Sequence, residues 1–275
     1  MISTAWLAER IDEPSIVLLD ASWHMPAAGR NAAEEYAAGH IPGAVFFDID
    51  QISDHSSPLP HMLPQPSEFA VAARRLGVSA TSTVVVYDTV GLFSAPRVWW
   101  MFRAMGHDEV FVLDGGLPRW IGEGRQVETG WRSRPHGDFK AHPRPDLVSD
   151  LEAVSIALAD PSWQVVDARP ASRFTGETPE PRPGLRSGHM PGAHNLPFGQ
   201  LIFDGALAAP DRLEAVMASN GVDPANPTIT TCGSGVSAAV IAIALARLGR
   251  DDVAIYDGSW SEWGARAETA VVTGP

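Results

Sequence analysis

The sequence predicts an α/β protein made of two tandem domains, each a mainly parallel sheet flanked by helices. Three observations carry this reading. β-prone runs alternate with helical runs along the chain, which implies crossover connections and helices on both faces of a parallel sheet. Runs such as Thr83 to Tyr87 (TVVVY) are continuously β-branched or aromatic, as strands buried on both faces are. The landmarks of the first half then recur, in order, in the second.

The first half opens with a strand, Ser15 to Asp20. Asn31 to Gly39 (NAAEEYAAG) reads as a helix. The motif Gly39-His40-Ile41-Pro42-Gly43-Ala44 follows, and Val45 to Asp50 (VFFDID) reads as strand or strand exit. Ser67 to Gly77 has a serine start, apolar spacing and a glycine stop, so it predicts a helix. After TVVVY, Ala95 to Met105 predicts a helix with a proline in its first turn. Val110 to Leu113 is the next strand, closed by Asp114-Gly115-Gly116.

The second half answers element for element. Trp163 to Asp167 matches the first strand, and Gly188-His189-Met190-Pro191-Gly192-Ala193 matches GHIPGA. Asp211 to Gly221 matches the Ser67 helix, Thr228 to Thr231 matches TVVVY, and Val253 to Tyr256 with Asp257-Gly258 matches the last strand. The offsets are nearly constant: 167 − 20 = 147, 189 − 40 = 149 and 257 − 114 = 143. Such self-similarity marks a duplicated domain. The expected division is residues 1–130, a polar and proline-bearing linker over 131–148, and residues 149–275.

Composition narrows the function. Lys plus Arg is 20 against 33 for Asp plus Glu, a net charge of −13, which repels nucleic acid and anionic membrane. A small anionic substrate must therefore be held by a few local cations. One cysteine makes no intrachain disulfide, no run approaches the length needed to span a bilayer, and the start of the chain carries no basic leader. A cytoplasmic protein is expected. The nine histidines lack metal-ligand spacing and there is no nucleotide-binding glycine fingerprint, so neither metal nor cofactor is expected.

The chemistry concentrates at Cys232. It follows the strand Thr228 to Thr231 and precedes Gly233-Ser234-Gly235 and an alanine-rich helical run ending at Gly249. A thiolate at a strand–loop–helix junction is stabilised by unpaired amide N–H groups and by the helix dipole. The glycines allow those amides to turn inward as an anion nest. A lone cysteine is otherwise a small buried hydrophobe, but that role needs neither the glycines nor the helix start. In the aligned first copy the position is Asp88, followed by Thr89-Val90-Gly91-Leu92-Phe93-Ser94. One copy therefore carries a nucleophile and the other a carboxylate.

These residues resemble a known family. The paired GHIPGA and GHMPGA motifs, the strand–cysteine loop–helix, and Asp257-Gly258-Ser259-Trp260 with Trp263 resemble rhodanese homology domains over nearly the whole chain. The loop Cys232-Gly233-Ser234-Gly235-Val236-Ser237-Ala238 is similar to that of 3-mercaptopyruvate sulfurtransferases. Thiosulfate-using members carry basic residues just after the cysteine, where this chain has Gly233 and Ser234. The resemblance implies that Cys232 takes a sulfur atom as a persulfide cradled by Gly233, Ser234, Gly235, Val236, Ser237 and Ala238. It implies that Arg173 and Arg182, in the Asp167-Ala168-Arg169 to Pro179-Glu180-Pro181-Arg182 segment, bind the substrate. It also implies a triad of Asp50, His61 and Ser234, with Asp50 and His61 supplied by the first domain. The histidines His40 and His189 recur in the copy without a thiol and so read as turn-capping residues.

The expected reaction moves sulfur from 3-mercaptopyruvate to a thiol, such as thioredoxin, or to cyanide, with release of pyruvate. Thiosulfate:cyanide sulfurtransfer and a non-catalytic persulfide relay remain open at this point. A cysteine-dependent phosphatase or arsenate reductase would need an arginine six residues after the cysteine, where this chain has Ala238.

Overall fold

The computed structural model describes residues 1–275, which fold as two units. The first contains 1–54, 63–144 and 204–207, the second 55–62, 145–203 and 208–275.

The first unit contains α1 (Thr4–Arg10), β1 (Ile16–Asp20), α2 (Ala32–Ala38), β2 (Val45–Phe46), α3 (Pro66–Arg75), β3 (Thr83–Tyr87), α4 (Ala95–Ala104), β4 (Val110–Val112) and α5 (Gly116–Gly122). Its four strands lie in the order β2-β1-β3-β4, all parallel. A parallel bridge from Ile2 to Leu113 extends the β4 edge. The second unit contains β5 (Val148–Ser149), α6 (Leu151–Ala159), β6 (Gln164–Asp167), α7 (Ala171–Phe174), β7 (His194–Asn195) and β8 (Ile202–Phe203). The two-residue strand β9 (Ala206–Leu207) folds with the first unit, where Leu207 N–H donates to Asp114 Oδ1 at 3.0 Å. The second unit resumes with α8 (Pro210–Ser219), β10 (Thr228–Thr231), α9 (Ala238–Arg247), β11 (Ala254–Tyr256) and α10 (Ser259–Trp263). Its strand order is β5-β11-β10-β6-β7, again all parallel. With β1 matched to β6, β2 to β7, β3 to β10 and β4 to β11, the two sheets have one topology.

Local sequence explains the elements. The strands β1, β6 and β10 are buried at every residue, which is why they lack polar alternation. Helix α9 is buried from Ala238 to Leu245, as expected of a helix apolar on all sides. Asn31 Oδ1 caps α2 by accepting from Ala33 N–H and Glu34 N–H. Helix α3 starts one residue earlier than its serine suggests: Gln65 is the cap, Pro66 opens the helix, and Glu68 closes a capping box.

The VFFDID run is strand only to Phe46 and exit after it, because Asp48 Oδ1 accepts from Asp50 N–H and Gln51 N–H and turns the chain. Two expectations are corrected. The stretch from 131 to 144 is not a detached linker. Phe139 is buried edge-on against Phe69, Phe102 and His107 of the first unit, and Val148–Ser149 is already a strand of the second. Finally, His61 does not belong to the first domain: residues 55–62 fold with the second unit.

Candidate active site

The site is built on the turn after β10. Cys232 leaves the strand, residues 233–237 form the loop, and α9 starts at Ala238. The Cys232 side chain is buried. The turn into α10 fixes the loop's backbone. Trp260 N–H donates to Cys232 O at 2.9 Å, and Ser261 donates twice to Gly233 O, from N at 3.0 Å and Oγ at 2.6 Å. Cys232 N–H donates to Ser259 Oγ at 3.4 Å, and that hydroxyl donates to Tyr256 O at 2.8 Å. Ser259 is fully buried with φ +51°, a left-handed conformation that costs a non-glycine residue on the order of 1 kcal/mol. Gly235, at φ +76°, makes the loop's own left-handed turn without that cost.

Two arginines stand over the next residue. A Cβ on Gly233 would lie 3.1 Å from Arg173 Nη2 and 3.7 Å from Arg182 Nη1. A side chain here would crowd Arg173 and merely touch Arg182, so the glycine leaves room for the Arg173 guanidinium beside the cysteine loop. Arg182 Nη2 also donates to Ser234 Oγ at 3.3 Å. Arg173 is gripped by Glu180, donating Nε to Oε1 at 3.1 Å and Nη2 to Oε2. Behind it, Arg169 is buried and donates to both oxygens of Asp167, to Glu180 Oε1 at 2.7 Å and to Gly188 O at 2.9 Å. Its guanidinium lies 4.1 Å from the centre of the Trp260 ring. Burial opposes the Arg169 charge, but Asp167 and Glu180 outweigh it and hold the group above its ordinary pKa.

The structure brings Ser234 and His61 together, with Oγ 2.9 Å from Nδ1 and both residues buried. Because Arg182 donates to Ser234 Oγ, the hydroxyl proton is available to a His61 Nδ1 that carries none. His61 has φ +61°, so its placement is imposed by the surrounding chain. Asp50 belongs to the first unit, where both its oxygens lie 3.1 Å from the Trp23 indole nitrogen that donates to them.

His40 and His189 are structural. His40 Nδ1 donates to Tyr36 O, and its ring stacks on Tyr36 at 4.1 Å. His189 Nδ1 donates to Phe174 O, and its ring stacks on Phe174 at 3.8 Å. Sequence reasoning missed the parts played by Ser259, Ser261 and Glu180. The repeat held a signal for the first of them. Ser259 aligns with Gly116, which has nearly the same φ, +53°.

Comparison with known proteins gives the family. The Rhodanese-like domain model matches twice, over residues 3–123 and 150–266. The chain belongs to the rhodanese family. Among its rhodanese relatives, the Escherichia coli (strain K12) 3-mercaptopyruvate sulfurtransferase is 50% identical over 271 residues, covering 98% of this chain and 96% of that protein. The Rattus norvegicus thiosulfate sulfurtransferase is 45% identical over 285 residues, covering 100% and 95%. The crystal structure of the Escherichia coli 3-mercaptopyruvate sulfotransferase SseA superposes with a TM-score of 0.87 at 48% identity, covering 95% of this chain and 99% of that one.

The first rhodanese copy keeps the loop and fills it. Asp88 stands where Cys232 stands in the second, directly after its strand. Leu117 N–H donates to Asp88 O at 3.0 Å, as Trp260 N–H does to Cys232 O. The Asp88 carboxylate accepts from Val90 N–H at 3.1 Å, Phe93 N–H at 2.7 Å, and Ser94 N–H and Ala95 N–H at 3.0 Å each. This loop is an occupied anion nest, and its occupant is tethered to it.

Proposed function

We propose that this protein transfers sulfur from 3-mercaptopyruvate to a thiol or cyanide acceptor through a persulfide on Cys232, and releases pyruvate. The observation that carries the donor assignment is Gly233. A bare backbone there leaves room for Arg173, whose Nη2 would lie only 3.1 Å from a Cβ, and Arg182 stands beside it. The 50% identity to the Escherichia coli 3-mercaptopyruvate sulfurtransferase over nearly the whole chain supports the same reading.

In this reading Arg173 and Arg182 hold the carboxylate and ketone of the substrate, because guanidinium forks match planar oxygen pairs. The Cys232 thiolate attacks the substrate sulfur. A sulfur–sulfur bond forms, the carbon–sulfur bond breaks, and its electron pair leaves as the enolate of pyruvate. The arginines stabilise that developing charge. The substrate's thiol proton passes through Ser234 to His61 and on to the enolate carbon, so the cysteine is left as a persulfide anion. The amide groups of residues 233–238 surround that anion. Asp50 as the third member of the triad is proposed from the family resemblance alone. An acceptor thiolate then attacks the terminal sulfur and regenerates Cys232. Two half-reactions on one nucleophile give ping-pong kinetics. A thiol acceptor such as thioredoxin and a cytoplasmic location are part of the proposal. No helix is long and apolar enough to cross a membrane.

The test is donor choice. Steady-state kcat/KM is measured for 3-mercaptopyruvate and for thiosulfate with the same acceptor. A clear preference for 3-mercaptopyruvate is expected. A preference for thiosulfate would overturn the donor assignment and favour the second reading, which the 45% identity to the rat thiosulfate sulfurtransferase supports. No turnover of either donor would mean a relay module.

A further inference from the structure

The Glu180 side chain is buried, 1% exposed. A buried carboxylate is tolerated only when charge and hydrogen bonds compensate it. Here two arginines do so. Oε1 accepts from Arg169 Nη1 and from Arg173 Nε, and Oε2 accepts from Arg173 Nη2. Arg169 is fixed from its other side by Asp167, Gly188 O and the Trp260 ring. Glu180 is therefore a rigid bracket between an immobile arginine and a substrate-facing one.

The bracket leaves Arg173 little choice of pose. With Nε and one Nη2 hydrogen given to Glu180, the Nη1 hydrogens and the second Nη2 hydrogen face away from it. Nη2 is also the atom nearest to the place of a Gly233 Cβ, at 3.1 Å. The bracket aims the free edge of the guanidinium at the residue next to Cys232. It also sets charge. Asp167 and Glu180 together balance Arg169 and Arg173, so Arg173 offers a directed fork without a net surplus of positive charge behind it. Such a fork suits a monocarboxylate and gains less from a dianion.

We propose that Glu180 is a positioning residue that orients Arg173 and biases the site toward a monoanionic carboxylate donor over a dianionic one. This rests on the reading that Arg173 binds the donor. The experiment measures kcat and KM for 3-mercaptopyruvate and for thiosulfate with the wild-type protein, Glu180→Gln, Glu180→Asp and Arg173→Ala. Thermal melts and the rate of Cys232 alkylation by uncharged iodoacetamide accompany them. Glu180→Gln is expected to raise the 3-mercaptopyruvate KM about tenfold, the scale of one charge-assisted hydrogen bond, while changing kcat less than threefold. The thiosulfate KM should fall, so the donor ratio narrows, and the alkylation rate should hold within twofold. Glu180→Asp keeps the charge with a shorter stem. It should keep the donor ratio and raise the 3-mercaptopyruvate KM by less, and it serves if the glutamine variant fails to fold. The proposal is overturned if Arg173→Ala raises the KM but both Glu180 variants leave it at the wild-type value. It is equally overturned if the two donors lose kcat in parallel with a fallen melting temperature, the mark of a structural role. If the wild-type protein ignores 3-mercaptopyruvate, the donor reading fails on its own. The thiosulfate KM of Glu180→Gln then still decides: a fall supports the bracket and an unchanged value overturns it.

Discussion

After β3 the chain turns through Asp88 into α4; after β10 it turns through Cys232 into α9. The carbonyl of each of those two residues accepts an N–H from the start of the final helix of its copy. In the first turn four amides converge on a carboxylate that never leaves. In the second the first side chain is a buried thiol, and two arginines stand near the next residue, Gly233. The difference teaches that one duplicated turn serves two ends: the aspartate of the first copy takes up the amides around it, and the second copy puts a thiol in its place. The strand ends repeat the lesson. Asp167 at the end of β6 is neutralised by Arg169, whereas Asp20 at the end of β1 has Ser22 in the corresponding place.

That contrast can be broken at its strongest point first. Cys232→Ser should lower sulfur transfer by more than about a thousandfold, because the covalent route is lost. Substituting Asp88, the matching residue of the first copy, should leave kcat/KM within threefold. Steady-state assays of both variants check this.

The next effect is one of stability. Burial raises the Asp20 pKa to about 6, against an ordinary value of 3.8, while its hydrogen bonds to Ser22 pull the other way. The folded state therefore keeps this proton between pH 4 and 6, where the unfolded chain releases it. Stability falls as pH rises through that window and levels off above it. Asp20→Asn should remove that dependence and add on the order of 3 kcal/mol at pH 7. Denaturant unfolding from pH 4 to 8 gives the measurement. Asp167→Asn should lower stability instead, since it removes one of the two carboxylates that balance the buried Arg169.

Asp88→Asn should cost about 2 kcal/mol, since the amide can no longer accept from all the N–H groups that converge on the carboxylate. The loss would appear as a lower melting temperature with activity retained. The smallest effect is expected from Gly233→Ala. Its Cβ would press on Arg173 and should raise the donor KM three- to tenfold, about 1 kcal/mol, with little change in melting temperature.

Much of the fold was legible because duplication doubled each signal. The strands Thr83–Tyr87 and Thr228–Thr231 stand where their sequences predict them, and so does the turn at Cys232. What was hidden depended on long-range packing. Residues 55–62 are polar and proline-bearing, with no helical or strand period, so nothing in them says which core they join. Chain order suggested the first unit, and the fold gives the second. Glu180 lay in the segment that the resemblance assigns to substrate binding, but with no role of its own. Its function follows only when the chain returns it beneath Arg169, eleven positions back. Ser259 was concealed by its own type, since serine does not advertise a left-handed backbone, although Gly116 opposite it does.

The central claim is that only the second loop carries sulfur, and that its donor is 3-mercaptopyruvate. Intact-mass and peptide mass spectrometry of the protein after brief exposure to 3-mercaptopyruvate without an acceptor tests this most directly. The account predicts a gain of about 32 Da, one sulfur atom, confined to the Cys232 peptide and removed by an added thiol. A Cys232→Ser protein that still turns over 3-mercaptopyruvate, or a wild-type protein that gains sulfur from thiosulfate but not from 3-mercaptopyruvate, would contradict it.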